Sequence, residues 1–389
     1  MLMEREADLS GNGPRERTVG ARYDRRRFLR DMTALGCGAA GVRQGNAAGR
    51  RLKFVALGQA AIQHDLREHP YDEYGRLARL LRGHDVCFTD LETVIDGPGA
   101  GPSTRKDTFF KAAPASVLEC LADFSVNVLA LSNNHSWDLN TGGILSTLNA
   151  VRQRGFALAG TGGNLAEATG AGYRDTPAGT IALVSMASGA IREGAAATES
   201  RAGVNEVRLE GGELNAEDTA RNLDSIRGAA QRARHVFVYQ HNHYWESNFR
   251  DTPGWQRRWA RQCIDAGACA FVSHGAPLLQ GIELYRGCPI FYDLGSFVFH
   301  SRTPVGYYPP EVWESVIAAC VFDSGRLVSL ELTPVLLNES GLSADNFFET
   351  RGRPVLARGA AAGRILARLQ RISPRIEIRR AGDAGRVIV

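Results

Sequence analysis

Short apolar runs recur along this chain, and most of them stop abruptly at polar side chains. Val126, Val128, Leu129, Ala130 and Leu131 read as a buried strand that ends at Ser132-Asn133-Asn134-His135-Ser136-Trp137-Asp138. Thr141-Gly142-Gly143 then opens a helix with Ile144, Leu145, Leu148 and Val151 on one face, closed by Gly155. Asn134, His135 and Asp138 therefore fall on a loop between a strand end and a helix start, where open α/β sheets tend to carry their sites.

The same pattern repeats on either side. Residues 50–57 predict a first strand ending at Gly58-Gln59, and Tyr74 to Leu81 has helical spacing. Asp85 to Thr89 predicts a strand ending at Asp90-Leu91-Glu92-Thr93, and Pro114 to Leu121 a short helix. Thr180 to Met186 reads as a strand and Glu217 to Arg234 as a helix. Val236 to Tyr239 predicts a strand ending at Gln240-His241-Asn242-His243. Thr252-Pro253 marks a helix start, with Thr as cap and Pro in the first turn. Ala270 to Ser273 ends at His274-Gly275, and Pro289 to Tyr292 ends at Asp293-Leu294-Gly295-Ser296. Ser315 to Phe322 and Leu327 to Leu332 flank Asp323-Ser324-Gly325, a hairpin signal. Beyond Pro334 the chain grows rich in Arg, with Ile365, Leu366 and Leu369 predicted to face inward from a helix over 357–372.

Strands alternating with helices give an α/β class, and the closing hairpin makes the sheets mixed. Five strand ends carry polar groups: Gln59, Asp90 with Glu92, Asn134 with His135, His241 with His243, and His274. Five in succession point to a shared edge where they converge. Imidazole, carboxylate and amide oxygen together suit a divalent Zn, Mn or Fe ion.

Composition narrows the partners. The net charge of +4 over 389 residues is small, and no stripe of interleaved aromatic and basic residues occurs, so nucleic acid is not an expected partner. No apolar run approaches the roughly 18 residues that a transmembrane helix needs. None of the seven cysteines forms a Cys-x-x-Cys pair, which argues against a zinc ribbon or a thioredoxin motif. Cys87, Cys120, Cys263 and Cys320 lie in apolar runs and read as small buried hydrophobes. At the N-terminus, Arg25-Arg26-Arg27-Phe28-Leu29 looks like a twin-arginine export signal, with Ala47-Ala48-Gly49 offering small residues for cleavage. Residues 1–49 are thus expected to be an export signal and disordered leader. Residues 50–338 are expected to form the domain, and residues 339–389 an Arg-rich extension packing on it or trailing it.

Several motifs carry a resemblance. These are Asp90-Leu91-Glu92-Thr93, Asn133-Asn134-His135-x-x-Asp138, His241, His274-Gly275 with Gln280-Gly281-Ile282-Glu283, and Pro289-Ile290-Phe291-Tyr292-Asp293-Leu294-Gly295-Ser296-Phe297-Val298-Phe299. In sequence and order they resemble the CapA family, named for poly-γ-glutamate capsule synthesis and built on the calcineurin-like metallophosphatase fold. The resemblance covers roughly residues 52–335. It implies a four-layer αββα sandwich of mixed sheets, with Glu92, Asn134, His241 and His274 as metal ligands. It also implies that His135 is the acid/base or phosphate-contacting group. His135 and Asp138 are the catalytic candidates, the alternative being a loop imidazole that simply bonds to Asp138 and orients a neighbour without chemistry.

Two departures from the family pattern bear on the metal. Gly58-Gln59 stands where the family has Gly-Asp, and His274-Gly275-Ala276-Pro277 stands where it often has His-Gly-Pro-His. Both lost groups would serve the first ion of a two-ion pair. One divalent ion, or weak binding of two, is therefore expected. Gln59, Asp90 and His243 remain additional candidates, although His243 is expected to face the opposite way from His241, at the surface or behind the site, if the strand ends between them.

Three functions compete. The first is an exported CapA-like protein that makes or handles a polyanionic envelope polymer such as poly-γ-glutamate, alongside envelope polymer-synthesis proteins. The second is a metal-dependent hydrolase of a small-molecule ester, amide or phosphoester. The third is a non-catalytic binding protein with a decayed site.

Overall fold

The computed structural model describes residues 50–389, so the arginine pair, Cys37 and Ala47-Ala48-Gly49 lie outside the described residues. The chain has a mixed α/β fold built on two large sheets. In the nine-stranded sheet, Leu52–Ala56, Val86–Asp90, Val128–Ala130 and Ala157–Ala159 lie side by side and parallel. Glu314–Asp323 joins the free side of Leu52–Ala56 antiparallel, followed outward by Arg326–Leu337, Ala384–Val387 and Ile378–Ala381. Pro354–Leu356 pairs separately with Arg326–Leu337. In the six-stranded sheet, Gly179–Ser188, His235–Asn242, Ala270–His274 and Cys288–Phe291 are parallel, with Gly172–Thr176 and Ile282–Tyr285 antiparallel at the two edges.

Period-two alternation divides each strand between two apolar clusters. From the nine-stranded sheet, Val55, Cys87 and Leu129 pack with Leu77, Leu121, Ile144 and Leu148, which come from the helices Asp72–Leu81, Ser116–Asp123 and Asn140–Gln153. Phe54, Ala56, Phe88 and Val128 belong instead to a second cluster with Leu183, Phe237, Tyr239 and Val272 of the six-stranded sheet. The Phe54 and Phe237 rings stack at its centre, 4.0 Å between centroids and 7° from parallel. A third cluster joins Ala182, Val184, Val238 and Phe271 to Ile226, Trp259 and Cys263 of the helices Ala216–Arg232 and Gly254–Asp265. Strands with apolar contacts on both faces are what the uninterrupted apolar runs in the sequence encode.

The hairpin forms at Asp323-Ser324-Gly325, with φ of 49° at Ser324 and 82° at Gly325, the doubly left-handed turn that fits strand twist. The strand expected over 236–239 is longer, running from His235 to Asn242. Its polar residues are accommodated because pairing with Gly179–Ser188 continues to Asn242 and because Gln240 Nε2 donates to Ser188 Oγ at 2.8 Å. Residues 339–389 supply the helix Gly359–Ile372, whose Ala362, Ile365, Leu366 and Leu369 enter the second cluster, and three strands of the larger sheet. The six cysteines among the described residues are free and buried. No helix among those residues is long and apolar enough to cross a membrane.

His235, at the first position of its strand, is only 1% exposed, and both ring nitrogens lack hydrogen-bond partners. Burial, reinforced by Arg234 and opposed by Asp323, lowers its imidazole from 6.5 to about 4. The unfolded chain takes up this proton below pH 6.5, whereas the folded protein does not until about pH 4. The stability linked to the neutral ring is therefore complete above pH 6.5 and is lost as pH falls toward 4, by up to roughly 3 kcal/mol. Urea unfolding across that range is expected to show the decline, and His235→Phe to flatten it. An unchanged slope in the variant removes His235 as the cause.

Candidate functional site

The carboxyl ends of the parallel strands carry the polar residues of both sheets to one place. His241 is fully buried and is paired in register with Ala187 on one side and His274 on the other. Its Nε2 lies 3.0 Å from Asn134 Oδ1, a contact between residues 107 apart in sequence. Its Nδ1 faces Tyr239 Oη at 3.1 Å and Asp90 Oδ2 at 3.3 Å. Asp90 is itself fixed, because Asn133 Nδ2 donates to its Oδ1 at 3.0 Å. A proton assigned to Nδ1, beside the Asp90 carboxylate, leaves the Nε2 lone pair directed at Asn134 and His243. Asp90 thus orients His241 from behind.

His243 corrects the expectation that it faces away. The strand continues through Asn242, so positions 241 and 243 share a side. The His243 Nε2 approaches His241 Nε2 to 3.0 Å, and the two rings stack at 4.9 Å. The ligand atoms of Glu92, His241 and His243 all lie within 4.8 Å of one another. His274, expected as a ligand, stands outside that group, one strand away, with its ring 5.4 Å from that of Tyr239. Burial, then the neighbouring His241, holds the His274 imidazole well below its usual range, so it is neutral at neutral pH. The turn after His274 passes so close to Asn242 that a Cβ on Gly275 would lie 2.2 Å from the Asn242 carbonyl oxygen; φ there is +127°.

Several donor atoms at this junction are buried with no hydrogen-bond partner: Gln59 Oε1, Glu92 Oε2 and both ring nitrogens of His274. Each such atom costs about 1–3 kcal/mol when left unsatisfied, and a bound cation would satisfy those it reaches. Two imidazoles and a carboxylate are a donor set suited to Zn and also to Fe. The residues present therefore fit a divalent ion.

Beside this group lies the His135–Asp138 pair. His135 Nδ1 contacts Asp138 Oδ2 at 2.8 Å, and Asp138 Oδ1 accepts from Arg192 at 2.6 Å. The backbone N–H of Lys111 donates to Asp138 Oδ2 at 2.8 Å. Burial raises the Asp138 carboxyl to about 6, against the pull of the Lys111 N–H and Arg192. Burial, with the Lys111 charge next in size, holds His135 well below its usual range. Its imidazole is neutral at neutral pH, with Nε2 3.6 Å from Glu92 Oε1. Ser136 shapes the loop: its Oγ donates to Leu131 O at 2.6 Å and accepts from Asn133 N at 3.1 Å.

Gln59, Glu92, Asn134, His135 and His243 line a cavity of about 430 Å³. Its walls carry three cations that sequence reasoning missed: Arg105, Lys111 and Arg192. Arg192 follows the strand Gly179–Ser188, so the strand-end pattern that marked the other residues was present there too. Lys111 Nζ sits 3.5 Å from Glu92 Oε1 and 5.3 Å from the Phe299 ring centroid. Arg192 Nε and Nη1 are buried and unpartnered, and its guanidinium lies 5.8 Å from the Trp137 ring centroid. Trp245 lines the same cavity.

The chain is 28% identical to the uncharacterized protein y4sH of Sinorhizobium fredii over 82% of this chain and 89% of that one. It is 29% identical to a probable polyglutamine synthesis accessory protein of Mycobacterium tuberculosis, over 66% of this chain and 67% of that one. It is 30% identical to the PGA biosynthesis protein CapA of Bacillus subtilis, over 57% of this chain and 54% of that one. Residues 53–301, more than half of the chain, match the bacterial capsule synthesis protein family PGA_cap, and the chain belongs to this CapA family.

Proposed function

We propose that this protein is exported by the twin-arginine route and acts on a polyanionic envelope polymer such as poly-γ-glutamate, with one divalent ion in a hydrolase-type site. The observation that carries the reading is the gathering of Glu92, His241 and His243 beside the His135–Asp138 pair, in a cavity walled by Arg105, Lys111 and Arg192. The name of the Bacillus relative, a PGA biosynthesis protein, supports the polymer. Arg25-Arg26 followed by Phe28-Leu29 supports export. The succession of helix, sheet, sheet and helix implied by the three apolar clusters supports a four-layer αββα fold of the metallophosphatase type.

Glu92, His241 and His243 are the residues that would hold the ion, with Asn134 adjoining. Such an ion supplies Lewis-acid polarisation of a carbonyl and lowers the pKa of water to about 7. The protein's own groups do the rest. Arg105, Lys111 and Arg192 attract and orient carboxylates of the substrate. Asp138 fixes the His135 ring, so Nε2 faces the cavity in neutral form, ready to take or return a proton.

The test is a γ-glutamyl oligomer hydrolysis assay on metal-analysed protein. His135→Ala is expected to lower turnover by about 10²–10⁴-fold while leaving the bound metal in place. Equal turnover in the variant removes His135 from the chemistry. A protein that carries no ion after supplementation, and whose melting is unchanged by a chelator, removes the metal.

A further inference from the structure

A second cavity, of about 470 Å³, lies among the helix Gly254–Asp265, the turn at Gly281-Ile282 and the end of the helix Gly359–Ile372. Arg250, Arg257, Arg261, Arg371 and Arg375 line it, against only two carboxylates, Asp251 and Glu283. Glu283 is buried and already engaged: Arg261 Nε donates to it at 2.8 Å, Tyr292 Oη at 2.8 Å, and Arg375 stands 4.0 Å away. Arg250 pairs with Glu311 at 3.3 Å. Arg257 lies over the Tyr292 ring, 5.0 Å from its centroid. Neither Arg257 nor Arg371 makes a salt bridge to any described residue. The cavity thus holds two uncommitted guanidinium groups, and guanidinium forks match carboxylates in bidentate fashion.

One segment joins this cavity to the first. Trp245 lines the metal-side cavity, and Arg250, Asp251 and Thr252 line the second. The five steps along the chain from Trp245 to Arg250 can span at most about 18 Å. Gln280 secures the segment, donating to Phe249 O at 3.0 Å and accepting from Thr252 Oγ1 at 3.0 Å. A short stretch of acidic polymer running beside that segment is long enough to reach from one cavity to the other.

We propose that the second cavity is a subsite for a carboxylate-bearing polymer, holding side-chain carboxylates several units away from the unit bound at Arg105, Lys111 and Arg192. The inference rests on the polymer reading given above and adds a length requirement to it. Two subsites on one chain raise affinity through effective concentration, and neither alone does so.

The experiment is titration of the intact protein with labelled poly-γ-glutamate oligomers of about three and about twelve units, alongside Mn²⁺ binding. The wild type is expected to bind the longer oligomer at least about tenfold more tightly. The double variant Arg257→Ala/Arg371→Ala is expected to lose that advantage while keeping short-oligomer and Mn²⁺ binding, which also shows that it is folded. The exposed single change Arg371→Glu is expected to weaken long-oligomer binding in the same direction. Long-oligomer binding by the double variant equal to wild type overturns the subsite and leaves the polymer reading intact. Failure of the wild type to bind either oligomer overturns both, whether or not Mn²⁺ is bound.

Discussion

His241→Ala is expected to lower affinity for Mn²⁺ or Zn²⁺ by about 100-fold or more, read by calorimetry and by metal content after dialysis. Changes behind a ligand typically cost 10–100-fold, so loss of a ligand itself sets that figure as a floor. His241 is the hinge of the group: it touches Asn134, His243, Asp90 and Tyr239 at 3.0–3.3 Å. Because the side chain is fully buried, its removal also leaves Asp90 without the imidazole and lowers stability. His241→Gln retains more volume and a polar group, and it is expected to bind metal nearly as poorly with a smaller loss of melting temperature. Asp90→Asn, acting only through the orientation of His241, is expected to cost about 10-fold. Wild-type metal content in both His241 variants would exclude the Glu92, His241 and His243 group as the ion's seat.

Phe54→Ala is expected to destabilise the protein by about 3–5 kcal/mol in urea unfolding, and Phe237→Ala by a similar amount. The rings come from different sheets and stack at 4.0 Å, with Phe322 edge-on to both at 6.2 and 5.6 Å. Beyond the lost burial, each truncation removes an aromatic partner worth about 0.5–1.5 kcal/mol. The double variant is therefore expected to lose less than the sum of the single changes. Strict additivity would mean that the two sheets do not share this core.

These two predictions mark what the sequence carries and what it omits. The apolar runs and their polar ends were legible because a strand with apolar contacts on both faces tolerates few polar residues, so Asn134, His135, His241 and His274 stand out. Their grouping was legible only as far as parallel strands place carboxyl ends together. Which face of one sheet meets the other is decided by side-chain fit, as between Phe54 and Phe237, and no local pattern records it. His243 was misjudged because the end of its strand was placed too early, at Tyr239, and a pairing partner with residue-by-residue register decides that end. Arg105 and Arg192 went unmarked for another reason: in a chain whose positive charge is nearly all Arg, a functional guanidinium looks like a solvated one. The outermost strand, Ile378–Ala381, carries Arg379 and Arg380 in its centre and has no apolar period to betray it; such charges are typical of a sheet's outer border.

The family match stops at residue 301, before the antiparallel strand Glu314–Asp323 that lies against Leu52–Ala56. A fragment trimmed to the matched segment would strip one flank from Leu52–Ala56, laying bare its backbone donors and acceptors and inviting association with other molecules. It would also lack Ile365, Leu366 and Leu369, which help fill the space between the sheets. Expression trials that honour the boundaries of the shared motif rather than those of the sheet are therefore expected to yield aggregates, and a fragment that keeps the whole sheet runs to Val387.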